Sequence, residues 1–170
     1  MQRSLQMAIR NIRKDDEPCL AKVCRPVDKF NDRLSELLDD MFDTMYDAEG
    51  VGLAASQVGI LRRVLVIDVG DGPIEMINPE IKLEEGTQGG MEGCLSFPGQ
   101  SGYVERANHV VVDAYDRKGE LHTYDAEGFF ARAIQHEIDH LNGVVYLSKV
   151  TEPPEGFNDE TEDIEGETEE

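Results

Sequence analysis

The segment His136-Glu137-Ile138-Asp139-His140 constrains this chain more than any other. Two histidines at i and i+4 on a helix project from one face, so both imidazoles can reach one ion. In a helix they stand one turn apart on the same face, whereas in a strand they lie roughly 13 Å apart. The spacing therefore predicts a helix, and the flanking residues agree. Phe130, Ile134, Ile138 and Leu141 recur on an adjacent face and belong in the core. Asp125 reads as the N-cap and Gly143 as the C′ residue of a helix over 125–142.

The chemistry this pattern suits is metal-assisted hydrolysis. A divalent ion held by His136 and His140 lowers the pKa of a bound water towards neutrality. Glu137 sits beside the histidine face, where a carboxylate can take the water's proton and later return it to a leaving group. Chance histidines on a solvated helix are the plainer account. The chain has only four histidines, however, and two of them flank a glutamate at this spacing.

A catalytic site of this kind needs a third protein ligand and an open coordination position. The extended metalloprotease pattern would place a histidine three residues after Gly143, where this chain has Tyr146. Glutamates beyond His140 fall in an acidic stretch with little apolar content. Cys94, in Glu92-Gly93-Cys94-Leu95-Ser96, is the remaining soft donor. Taken alone it reads better as a small buried hydrophobe, the commonest fate of a free cysteine, and Cys19 and Cys24 read the same way. A third motif, Gly50-Val51-Gly52-Leu53-Ala54-Ala55-Ser56-Gln57, permits close backbone approach to a ligand, and the Gln57 amide could serve a developing oxyanion. A tight helix-to-strand connection explains that segment equally well.

The rest of the chain predicts an α+β fold: mostly antiparallel strands around the central HExxH helix, with an N-terminal amphipathic helix. Phe30, Leu34, Leu37, Leu38, Met41 and Met45 recur at helical spacing over 28–46, between Pro26 and Gly50. Strands are expected over 63–69, over 74–83 with a break at Asn78-Pro79, over 109–115, and over 120–124 after a turn at 116–119. A last short strand is expected over 144–147. The glycine-rich run 84–93 reads as loop. Residues 1–150 form one catalytic domain, and 151–170 an acidic tail expected to be disordered.

Charge narrows the partners. The formal net charge is −20, and ten acidic residues with no Lys or Arg fall between Thr151 and Glu170. The remainder is still acidic, which disfavours general binding to nucleic acid phosphates. Arg3, Arg10, Arg13 and Lys14 cluster near the N-terminus and read as a solvated face. No stretch reaches membrane-spanning length, no secretory signal is evident, and three cysteines suit a reducing cytoplasm.

Together, GxGLAAxQ at 50–57, EGCLS at 92–96 and QHExDHLxG at 135–143 resemble peptide deformylase in order and spacing, with a shared layout from about Met7 to Val150. The resemblance implies removal of the formyl group from the N-terminal formyl-methionine of nascent chains, releasing formate. It implies that Cys94, His136 and His140 hold the ion. That ion is usually Fe2+, with Zn2+ or Ni2+ also able to occupy the site, whereas donor softness alone would suggest zinc. Glu137 would be the general base and acid. The Leu95 backbone N–H and the Gln57 side chain would stabilise the oxyanion. Gly52 would lie near the formyl group. Val51, Phe129 and Ala133 would line the methionine pocket, with Arg132 at its entrance. The implied partners are N-formylmethionyl peptides and the ribosome, with no DNA and no membrane. Two other readings compete: a zinc endopeptidase sharing the helix motif, and a structural metal module, which would need a fourth protein ligand.

Overall fold

The computed structural model describes residues 8–157. It is an α+β arrangement of seven strands and two α-helices. Strands β1 (Gly52–Ala54), β2 (Val64–Ile67), β3 (Ile74–Glu85), β6 (His109–Tyr115) and β7 (Leu121–Glu127) form an antiparallel sheet in the order β1-β2-β3-β6-β7. β4 (Gln88–Glu92) and β5 (Gly102–Arg106) pair separately as a hairpin.

Helix α1 spans Asp32–Asp47 and α2 spans Gly128–Leu141. The two helices explain why β2, Val-Leu-Val-Ile, is apolar on both faces. Val64 and Val66 pack with Leu34, Leu38, Met41 and Met45 of α1. Leu65 and Ile67 pack with Ala131, Ile134, Ile138 and Leu141 of α2. A strand covered on both sides reads as a continuous apolar run. Each such large side chain contributes roughly 1.5–3 kcal/mol by leaving water.

Several boundaries differ from the sequence expectation, each for a local reason. α1 begins at Asp32, four residues later than expected, because the Asn31 side chain accepts from Leu34 N–H and caps the helix there. Phe30 lies outside the helix and meets Tyr115 edge-on. β3 is one strand across Asn78-Pro79, and the expected break survives there as a shift in its pairing register with β6 between Ile77 and Glu80. Asn78 adopts φ 53°, and its side chain accepts from Val27 N–H and donates to Val27 C=O. β7 extends to Glu127, so Asp125 is a strand residue bonded to His109 rather than an N-cap. Residues 146–149 form a 3-10 helix where a strand was expected, with Tyr146 buried.

The run 84–93 is mostly strand. β4 tolerates glycine because an aromatic ring replaces the missing side chain: a Cβ on Gly89 would overlap the Tyr103 hydroxyl of β5. Beyond the expected domain end, Thr151 bridges to Tyr103 and the Phe157 ring lies 4.9 Å from the Tyr103 ring. The rest of the expected tail, 158–170, lies outside the described residues, as does Arg3. Arg10 pairs with buried Asp40, so it is more than a solvated charge. Cys24 is buried in the core beneath α2, and Cys19 packs at the edge of the Leu20–Phe97–Tyr146 cluster.

Candidate metal centre and active site

α2 packs its apolar face on the sheet and turns His136, Glu137 and His140 towards the β4–β5 hairpin. The chain leaving β4 brings Cys94 to them. One donor atom each from Cys94, His136 and His140 lies within 4.8 Å of the others, and Cys94 Sγ is 3.3 Å from His140 Nε2. The rings of His136 and His140 stand 5.1 Å apart. Cys94 is half-buried, not the fully buried hydrophobe that an isolated cysteine suggests. Tyr146, at the position a protease would need for a third histidine, is buried 5.8 Å from the His136 ring.

Behind the donor set stands a network of charged side chains whose roles the sequence did not assign. Glu92 Oε1 accepts from His136 Nδ1 at 2.9 Å, which leaves Nε2 of that ring to face the cysteine. The same carboxylate is held by Arg106 through Nε at 2.7 Å and Nη2 at 2.9 Å, and by Arg132 Nη1 at 2.6 Å. Arg106 also reaches Asp139 at 2.8 Å. Arg132, expected at the pocket's entrance, is buried among the residues that line the cavity, and its guanidinium turns inward to Glu92 and the Val104 carbonyl. Glu92 and Asp139 lie inside the quoted motifs, so their positions were a signal. Arg106 carried none.

The electrostatics follow from this packing. Burial raises the Glu92 carboxyl, but its bonds to Arg106 and His136 outweigh that and hold it well below the usual carboxylate range. Burial likewise disfavours charge on His136, yet hydrogen bonds to Cys94 and Glu92 hold its pKa up at about 10. His140 is pushed down to about 3 by burial and then by the charges of His136 and Arg106. Burial raises Glu137 to about 7.

Among the described residues, Glu137 Oε1 is buried with no hydrogen-bond partner. Its other oxygen lies against Gly52, where an added Cβ would come within 2.5 Å of Oε2. Gln57 sits in a 3-10 turn over Ala55–Val58. Its Oε1 accepts from Ala54 N–H at 2.9 Å, which turns its Nε2 to Ser96 Oγ at 3.0 Å and Cys94 Sγ at 3.5 Å. The amide thus presents a donor to the site. A cavity of about 410 Å³ opens here, and Val51, Gly52, Gln57, Cys94, Leu95, Phe129, Ala133, His136 and Glu137 line it. A soft sulfur donor, two imidazoles and a carboxylate with an unused oxygen suit a divalent ion beside a proton acceptor.

A polypeptide deformylase family model matches residues 9–155. The chain belongs to the polypeptide deformylase family. With that membership it is an enzyme, a deformylating hydrolase. It is 56% identical over 144 residues to peptide deformylase of Alkaliphilus metalliredigens, covering 85% of this chain and 98% of that protein. The crystal structure of peptide deformylase from Thermotoga maritima matches at TM-score 0.83 and 43% identity, over 85% of this chain and 99% of that one. A Met-Ala-Ser-bound peptide deformylase from Acinetobacter baumannii matches at TM-score 0.81 and 34% identity, over 85% of this chain and 100% of that one. The family is metal-dependent, in keeping with the Cys94–His136–His140 group.

Proposed function

We propose that this chain hydrolyses the formamide of N-terminal formyl-methionine on newly made polypeptides, releasing formate, with Fe2+ held by Cys94, His136 and His140. When bound there, the ion supplies Lewis acidity and makes water acidic enough to deprotonate near neutral pH. Glu137 takes the proton from the attacking water. Its raised pKa, about 7, suits a group that must both accept and donate a proton. As the formyl C–N bond breaks, Glu137 passes that proton to the amine nitrogen, leaving formate and a free N-terminus.

Charge that develops on the formyl oxygen meets two donors, Gln57 Nε2 and Leu95 N–H. The Leu95 N–H has no hydrogen-bond partner among the described residues. Such donors are worth roughly 3–4 kcal/mol each in the transition state. Gly52 leaves room for the small formyl group beside Glu137. Val51, Phe129 and Ala133 supply apolar wall for the methionine side chain. The Met-Ala-Ser peptide bound by the A. baumannii relative supports a methionine-first substrate.

The observation that carries the reading is the convergence on one cavity of the thiolate–imidazole set, a buried unpartnered carboxylate and an amide donor. We further propose that the enzyme works in the cytoplasm on chains emerging from the ribosome, without DNA or membrane. No helix among the described residues is long and apolar enough to cross a membrane. The test is formate release from a formyl-Met peptide by protein loaded anaerobically with Fe2+. Glu137→Gln should keep the metal and lose roughly 10²–10⁴-fold in rate. Cleavage of an internal peptide bond with no formate release would overturn the proposal.

A further inference from the structure

We propose that residues 158–170 of this chain dock into a basic groove that shares no lining residue with the catalytic cavity. The groove, about 700 Å³, is lined by Arg25, Lys29, Arg33 and Arg62, with Asp28 and Glu36 beside them. All six side chains are exposed. Arg10 also lines the groove but pairs with Asp40. Among the described residues, Arg25, Lys29, Arg33 and Arg62 make no side-chain ion pair, whereas Arg106, Arg117 and Arg132 are each held by carboxylates.

A concentration of unpaired cations is unexpected on a chain of net charge −20. One exposed ion pair is worth only about 0–1 kcal/mol, so a lone carboxylate would not stay. A polyanion that meets several cations at once would. Residues 158–170 carry eight Asp or Glu and no Lys or Arg.

The segment leaves the fold where Phe157 packs on Tyr103. Thirteen residues span up to about 45 Å when extended, against a radius of gyration of roughly 15 Å for a fold this size. Tethering gives an effective concentration in the millimolar range, which favours this occupant over an external anion. None of the groove residues lines the catalytic cavity, so docking leaves the substrate path open. Its effect is to cover the groove against outside polyanions.

Lys29 is the groove's only lysine, which makes the contact readable by zero-length carbodiimide cross-linking of the full chain followed by peptide mapping. Cross-links from Lys29 to carboxylates of 159–170 are expected in the monomer. Their yield should fall about tenfold between about 10 mM and about 1 M salt, as the Debye length shrinks from about 30 Å to about 3 Å. The Arg25→Glu/Arg33→Glu pair should reduce the yield to a similar extent. Links to Lys82, on β3, should change less than twofold. The salt series needs no variant, so a misfolded double variant leaves the test intact. Several results would overturn the proposal: no Lys29 link at low salt, links found only in cross-linked dimers, equal salt dependence at Lys82, or added RNA held in the groove of a chain lacking the Lys29 link.

Discussion

Glu92 and His136, 44 residues apart, meet in a buried 2.9 Å hydrogen bond. The bond fixes which imidazole nitrogen turns inward and ties that ring to Arg106 and Arg132. Partners of this kind orient metal-binding rings, and their loss typically costs 10–100-fold in metal affinity. Glu92→Gln should therefore weaken metal binding by roughly that factor in chelator competition. Glu92→Ala should do more, because it strips buried Arg132 of its carboxylate and leaves buried Arg106 with Asp139 alone. Urea unfolding should show a loss of about 3–5 kcal/mol.

Gly52 meets Glu137 at the floor of the cavity. Gly52→Ala would force its methyl group onto the carboxylate, since the Cβ position lies 2.5 Å from Oε2. Formate release should fall at least about tenfold, the effect of roughly 1.4 kcal/mol on the barrier. Metal content, read by elemental analysis, should stay unchanged because no donor atom moves. Full activity in this variant would remove Glu137 from its assigned place.

Cys94→Ala should abolish stable metal binding, and Cys94→Asp should shift metal preference towards harder ions. In the metal-free protein, hydrogen bonding holds a proton on His136 at neutral pH, its pKa being about 10. A divalent ion must displace that proton. Titration calorimetry near pH 7, repeated in buffers of different ionisation enthalpy, should therefore show proton release on metal binding. No buffer dependence would contradict this account of His136.

His109 lies between two carboxylates, with Nδ1 2.9 Å from Glu85 and Nε2 2.6 Å from Asp125. Those bonds raise its pKa above the ordinary 6.5, Glu85 contributing most. A raised folded-state pKa stabilises the fold below the unfolded value and loses that effect as pH rises through the folded value. The Tm difference between the wild type and His109→Gln should be widest just below pH 6.5 and close at alkaline pH. A gap that grew with pH would refute the bridging role.

Much of the site was legible because three short motifs held nearly all its donors. Periodicity placed Ile134, Ile138 and Leu141 in the core, where they are buried. It failed where a distant group replaced a local signal. Gly89 and Gly90 read as loop because the Tyr103 ring that completes their strand lies on β5. At Asn78-Pro79 the break is only a shift of register, because bonds to Val27 hold the strand together across it. Asp125 read as a cap because its partner, His109, sits on a neighbouring strand.

By itself, the sequence determined that 136–140 presents two imidazoles and a carboxylate on one helix, since residues a turn apart share a face whatever surrounds them. Only the tertiary structure brought Cys94, 46 residues before His140, to those rings and put Arg106 behind Glu92. Contacts over such separations depend on how the β4–β5 hairpin packs against α2. That packing is set by burial summed over the whole core, which leaves no period or spacing in the chain.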